Sequence, residues 1–158
     1  MSSRKQCLKN LSDSYIASEI SVQYKARFIS ENPIINDGDA YALFLAIWDK
    51  ERINFQEQFV ALFLNRRKKV IGYRLISTGK LESTTVDIRL IASLALHTLA
   101  ASVIVAHNHP SGFLEASDAD NAVTKKLKKA LNLIDVKLLD HLIISEGGYL
   151  SIDPEELA

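Results

Sequence analysis

Two histidines, His107 and His109, sit two residues apart at the end of the apolar run "SVIVA", with Pro110, Gly112 and a group of acids after them. Residues i and i+2 of a strand project to the same face. If the histidines continue the strand, their imidazoles emerge side by side, as half of a tetrahedral zinc site. Pro110 and Gly112 then end the strand. Ten residues past the first histidine, "SDAD" opens a helix, with Ser117 as N-cap and Asp120 three residues later. That is a capping box with Asp in place of the usual Glu or Gln, at a helix start where negative charge is favoured. If the intervening loop folds back, Asp120 can serve as a third ligand. Two histidines, one aspartate and a water make a catalytic zinc pattern with one open position. Zinc in such a site lowers the pKa of its water to about 7 and polarises a carbonyl.

A zinc hydrolase also needs a general base that is not a ligand. Glu57 is the candidate. It begins the apolar stretch "EQFVALFL" and shares a strand face with Phe59, Ala61 and Phe63. Desolvation at the end of a buried strand would raise its pKa toward a working value. Each feature has a plainer reading. A histidine pair after a strand is often a turn or a satisfied core pair, Ser117 with Asp120 is a helix cap, and Glu57 is a charge at a strand edge. The chemical reading rests on the joint pattern. The literal order His-Asn-His does not indicate a nuclease, because the HNH letters name residues scattered over a ββα-metal unit.

The spacing carries a resemblance. H-x-H, seven residues, then S-x-x-D, occupied by His107, His109, Ser117 and Asp120, resembles the signature of the JAMM (MPN) metallohydrolases. The string "HNHPSG", the downstream "DHLIIS" and the upstream Glu57-x-Phe59 are similar to its RadC-like branch. The resemblance covers roughly residues 20 to 153. It implies one zinc ion per chain, held by His107, His109 and Asp120, with Glu57 as general acid/base and Ser117 stabilising an oxyanion. It also implies a cytidine-deaminase-like architecture and hydrolysis of an amide or isopeptide bond, with the substrate of the RadC-like branch not established.

The chain departs from that pattern in two ways. Fuller RadC proteins carry an N-terminal helix-hairpin-helix domain, for which this chain has no room, so the expectation is a short form like those of prophages and mobile elements. The family's Pro-Arg-Glu at the start of one helix is here Ile88, Arg89 and Leu90. The missing carboxylate lies outside the metal set, so altered packing or groove detail is expected, not a lost metal.

The elements that must position these residues follow from the hydrophobic pattern. Residues 1–19 read as a polar N-terminal arm and 20–158 as one domain. Ile20, Val22, Tyr24, Ala26 and Phe28 alternate as a strand. A helix capped at Asp37 or Asp39 follows, then a hairpin of "EQFVALFL" and "VIGYRLIS" about the "NRRKK" turn. Residues 84–101 read as a helix apolar on nearly all sides, hence buried. "SVIVAH" is a central strand. Residues 117–133 form an amphipathic helix with Ala122, Val123, Leu127, Ala130 and Leu131 inward, and "KLLDHLIIS" and "YLSI" close the chain as strands. The order β-α-β-β-α-β-α-β-β predicts an α/β (α+β) domain, a mixed central sheet flanked by helices.

Other residues have simpler expectations. Asn108, Ser111 and Glu115 are candidates for the groove lining, with turn formation favoured for Ser111. Asp118 should point away from the site. Asp140 and His141 read as a pair hydrogen-bonded to the sheet, and His97 as a satisfied core histidine.

With 158 residues, 19 basic and 19 acidic side chains and a single cysteine, the chain excludes a disulfide framework and any multi-cysteine zinc site. One cysteine fits a reducing cytosol, and neither a signal peptide nor a membrane span is evident. Zero net charge argues against a strong nucleic-acid binder. The first functional expectation is a cytoplasmic zinc hydrolase acting on a peptide or isopeptide bond. The second is a DNA repair or recombination accessory using the fold as a binding platform, which needs the basic runs "NRRKK" and "KKLKK" on one side of the molecule. A non-catalytic scaffold is the third, disfavoured because all five site residues are present. The apolar helix permits a homodimer interface.

Overall fold

Short β-branched runs bounded by turn residues set the core of this fold. The computed structural model describes Tyr24 and residues 30–79 and 86–157. The expected strand over 20–28 and the N-terminal arm lie outside the described residues.

The described elements are α1 (Asp37–Ile47), β1 (Gln58–Leu64), β2 (Val70–Thr78), α2 (Ile88–Thr98), β3 (Ser102–Asn108), α3 (Asp118–Asn132), β4 (Lys137–Ser145) and β5 (Gly148–Ile152). They form one five-stranded mixed sheet in the order β2-β1-β3-β4-β5. β1 pairs antiparallel with both β2 and β3, and β4 runs parallel to β3 and antiparallel to β5. A parallel pair needs a crossover, and α3 supplies it. The expected mixed sheet with flanking helices is the architecture found.

Every residue of β1 and β3 is buried. Strands covered on both faces read as continuous apolar runs, as "FVALFL" and "SVIVA" do. On one face Phe59, Ala61, Phe63, Val103 and Val105 pack with Ile91 and Ala95 of α2 and Val123, Leu127 and Leu131 of α3. On the other, Val60, Leu62, Ile104, Ala106 and Leu142 pack with Ala40, Phe44 and Trp48 at α1. Burying one such large apolar side chain stabilises the fold by roughly 1.5–3 kcal/mol. Tyr41 of α1 stacks on Tyr149 of β5 at 4.8 Å and donates to the Ser145 carbonyl at 2.9 Å, fastening α1 to the β4–β5 turn.

Three local expectations are corrected. The cap of α1 is Asn36, not Asp37 or Asp39; its side chain accepts from the Asp39 N–H, and Asp39 reciprocates with the Asn36 N–H. The helix expected to be buried all round buries only Ile91 and Ala95, while Leu96 and Leu99 face solvent at 53% and 87% exposure. The sheet covers one side of α2, and among the described residues nothing covers Leu96 and Leu99 on its far side. The helix also ends early, because Leu99 takes a left-handed conformation (φ 54°) and the chain turns there into β3. On α3, Ala122 is exposed while Val123, Leu127 and Leu131 are buried as expected.

Asp140 of β4 is buried in the face toward α1. Burial pushes its carboxyl up to about 6, against the hydrogen bonds it accepts from Ser151 Oγ at 2.8 Å and the His141 N–H at 2.7 Å. An acid with a raised folded-state pKa favours folding in its protonated form. Its penalty is therefore absent below the ordinary value of 3.8, grows as pH rises toward about 6 and is complete above it. Asp140→Asn is expected to stabilise the protein at pH 8 by roughly 1–3 kcal/mol, with the gain shrinking toward pH 4. Chemical denaturation at the two pH values checks this, and an equal difference at both would contradict it.

Candidate metal centre and its surroundings

The site forms where β3 ends and α3 begins. His107 is the penultimate residue of β3, and its imidazole lies on the face covered by α2 and α3, stacked on Phe59 across the β1–β3 pair. His109 lies two residues on, just past the strand. There the chain reverses in a four-residue turn, closed by the Gly112 N–H donating to the His109 carbonyl at 2.9 Å. Pro110 suits the second position of this turn. Gly112 closes it at φ 77°, where glycine avoids a side-chain clash. The reversal brings the N-terminus of α3 back over the strand end.

At that N-terminus the expected capping box is present. Ser117 Oγ accepts from the Asp120 N–H at 3.2 Å, and the Ser117 N–H and O–H donate to Asp120 Oδ2 at 2.8 and 2.6 Å. Asp120 is thereby held buried at 2% exposure with its other oxygen facing His107. His107 Nε2 lies 3.0 Å from His109 Nε2 and 3.1 Å from Asp120 Oδ1, and His109 Nε2 lies 3.8 Å from Asp120 Oδ2. One ligand atom from each of His107, His109 and Asp120 lies within 4.8 Å of the others. The three ligands expected to converge therefore do.

The hydrogen bonds behind this cluster fix which nitrogens are free. The Phe113 carbonyl lies 2.9 Å from His109 Nδ1 and can only accept, so Nδ1 carries the proton and a neutral His109 presents an Nε2 lone pair. A longer chain fixes His107. Thr124 Oγ donates to the Asp120 carbonyl at 2.7 Å, so it must accept from His141 Nδ1 at 2.6 Å. Burial, with His107 and His109 beside it, pushes His141 well below its ordinary value, so it is neutral and its Nε2 accepts. His107 Nδ1, 2.8 Å away, is then the donor, and its Nε2 lone pair also faces inward.

Burial works against ionisation of Asp120. The neighbouring His107 and the hydrogen bonds from the Ser117 N–H and O–H outweigh it and hold the carboxyl well below the usual carboxylate range. Two imidazole lone pairs and a carboxylate thus meet in a buried space. This donor set fits a small divalent cation with a preference for nitrogen and oxygen. Donors on a tetrahedral ion at bond lengths of 2.0–2.1 Å lie about 3.3 Å apart, close to the separations found.

Glu57 is half-buried one residue before β1. The pairing continues through it, because the Gly79 N–H donates to the Glu57 carbonyl at 2.9 Å. Phe59 faces His107 across the β1–β3 pair, and two further residues along that register set Glu57 across from His109. Both line one cleft of about 520 Å³ with Phe55, Gln56, Pro110 and Ser111. The residue expected to act as base thus lies beside the cluster, fifty residues away in sequence. Ser117 is exposed at the start of α3.

Other expectations fare unevenly. Asp118 is exposed and outside the cluster, as expected, and Ser111 accepts from the Phe113 N–H at 3.4 Å within the turn. Asn108 does not line the groove; it is fully buried on the opposite face. His97 is no core histidine but an exposed residue bonded through Nδ1 to the Ser93 carbonyl at 2.6 Å. His141 does more than bond to the sheet, and Thr124 was not foreseen at all. The signal for Thr124 was its place four residues after Asp120, one helical turn along the same face.

If the relay sets the orientation of His107, its loss should weaken the metal and spare the fold. Thr124→Val and His141→Ala are expected to bind zinc roughly 10–100-fold more weakly than the wild type, as read by competition with a chromophoric chelator. Unchanged affinity in both would remove the relay from the site.

Comparison with known proteins agrees with this geometry. The model of the RadC-like JAB domain matches residues 34–157. A UPF0758 protein of Flavobacterium johnsoniae is 48% identical over 99 residues, covering 63% of this chain and 43% of the relative. One from Pseudomonas fluorescens is 48% identical over 96 residues, 61% of this chain and 43% of that protein. One from Xylella fastidiosa is 38% identical over 135 residues, 85% of this chain and 59% of the relative. The chain thus spans about half the length of these curated relatives, whose name specifies no activity. The matched segment contains the β3 histidines, the α3 aspartate and Glu57, and the chain belongs to the RadC-like JAB domain family, within the JAMM (MPN) group.

Proposed function

We propose that the protein is a zinc-dependent hydrolase of amide bonds, of metallopeptidase or isopeptidase type. One observation carries the reading: the inward-facing lone pairs of His107 and His109 converge with the Asp120 carboxylate, and His109 lines a cleft that also contains Glu57. His107, His109 and Asp120 would hold zinc, and the fourth position would face the cleft. When bound, zinc supplies the Lewis acidity that acidifies a water and polarises a carbonyl.

The chain's own residues supply the rest. Glu57 would take a proton from the attacking water and return it to the leaving amine. Ser117 is exposed at the start of α3 with its O–H on Asp120 Oδ2. Turning that O–H toward the cleft would let it stabilise the oxyanion of a tetrahedral intermediate. Phe59 and the buried end of β3 exclude water from the inner side of the histidines. The cleft is open on the outer side, where an extended peptide or a linked tail can enter.

The DNA-binding alternative gains little support from the geometry. Arg66 and Arg67 are exposed on the β1–β2 turn, at the opposite end of β1 from Glu57. A seven-residue strand spans roughly 20 Å, so a duplex on that turn has no direct route to the cleft. Among the described residues no helix is long and apolar enough to cross a membrane. The single cysteine is in keeping with the cytoplasmic setting we propose.

Purified protein is expected to contain about one zinc per chain, lost in His107→Ala and Asp120→Ala. Cleavage of a peptide library should fall about 10²–10⁴-fold in Glu57→Gln with the zinc retained. Metal-free wild-type protein that takes up no added zinc would rule the reading out.

A further inference from the structure

We infer that Asn108, between the two histidines, is a positioning residue for Glu57, its side-chain amide clamping the segment before β1 to the end of β3. The inference rests on the proposed role of Glu57 and extends it. In an H-x-H strand end the middle residue must face away from the two it separates. Here that leaves Asn108 fully buried on the α1 face, under the segment that joins α1 to β1.

Its amide makes three hydrogen bonds to that segment. Oδ1 accepts from the Gln58 N–H at 2.7 Å, and Nδ2 donates to the carbonyls of Ile53 at 2.7 Å and Gln56 at 3.0 Å. The Gln56 carbonyl belongs to the peptide entering Glu57, and the Gln58 N–H to the peptide leaving it. One side chain therefore holds both peptide planes that flank the Glu57 Cα. The Gly79 N–H holds the second of them from the β2 side, through the Glu57 carbonyl at 2.9 Å. With both planes fixed, the direction of the Glu57 side chain is set relative to β3, the strand whose end carries both histidines. The ligand pair and the base are thereby registered to the same three residues.

Few side chains can replace this amide. The site needs two N–H donors and an acceptor in one plane, which is the inventory of Asn. Asp of the same shape lacks the donors and would set a charge against two carbonyl oxygens. Gln is one methylene too long for a buried position. Truncating the amide would leave three buried backbone groups without this partner. A displacement of 1 Å at a reacting group can cost about 10²-fold in rate, so a small loosening here would reach the chemistry without touching a ligand.

Cobalt(II)-loaded full-length protein offers a readout independent of substrate, its visible absorption followed against pH. Glu57→Gln is expected to move the midpoint of that titration by at least about half a pH unit. Asn108→Ala, and the milder Asn108→Ser, should move it in the same direction while cobalt affinity stays within about threefold. Adding Asn108→Ala to Glu57→Gln should give no further shift, the non-additivity expected of residues that act as a unit. A wild-type midpoint in the Asn108 variants, or additive shifts in the double variant, would overturn the inference. Amide exchange in the wild-type chain provides a test that needs no variant to fold. The Gln58 N–H should exchange as slowly as those in the middle of β1, and exchange at the rate of an exposed loop would refute the clamp. A Glu57→Gln titration identical to the wild type would instead remove Glu57 from the metal site, with the exchange experiment still deciding the clamp.

Discussion

A buried carboxylate set against two imidazole lone pairs is the constraint on which the rest of this site depends. Removing a charge from water is costly unless it is paired and hydrogen-bonded. Asp120 meets half of that requirement through the helix start, where the Ser117 N–H and O–H both reach one of its oxygens. His109 lies 3.8 Å from that same oxygen, and the other one faces His107 at 3.1 Å. Neither imidazole can satisfy it in the tautomer that its outer hydrogen bond dictates, since both carry their protons on Nδ1. Without a cation, a proton must be held among these groups. With one, each inward lone pair has a partner. The outer bonds to the Phe113 carbonyl and, through His141 and Thr124, to the Asp120 carbonyl hold this arrangement in place.

The sheet turns that local chemistry into a site. β3 is covered on both faces, so its residues alternate between two buried environments, not between core and solvent. His107 goes to the side of α2 and α3, and Asn108 to the side of α1. The antiparallel pairing with β1 aligns Glu57 with the end of that strand, and the parallel pairing with β4 brings His141 beside His107. The crossover helix α3 starts where β3 stops, which places a helix N-terminus and its buried aspartate above the histidines. The groups of the site thus come from the end of β3, the start of α3, β4 and the approach to β1, and the register of the central strands brings them together.

Most of this was legible in the residues because the relevant periods are short. Histidines two apart on a strand must share a face, and a serine three residues before an aspartate must form a cap if a helix starts there. The pairing of β1 with β2 followed from two apolar runs around a basic turn. Burial by partners distant in sequence was much harder to see. The leucines of α2 suggest a helix covered on every side, yet coverage is set by partners distant in sequence, and Leu96 and Leu99 are exposed. Asn36 was overlooked as a cap because two aspartates beside it looked equally able to serve. Asn108 reads from its neighbours as a groove-lining residue, since nothing near it in sequence needs its amide; the groups that do lie fifty to fifty-five residues earlier. The role of His141 was hidden for the same reason, being defined by a threonine and a histidine on two other elements.

The central claim is that the inward atoms of His107, His109 and Asp120 are the ligands of a metal ion. It is tested most directly by anomalous diffraction at the zinc edge from crystals of the full-length protein grown with zinc. The account predicts one strong peak per chain, about 2.0–2.1 Å from the Nε2 atoms of both histidines and 2.0–2.2 Å from an Asp120 oxygen. A peak bound through Nδ1, one at another location, or none between the two histidines would contradict it.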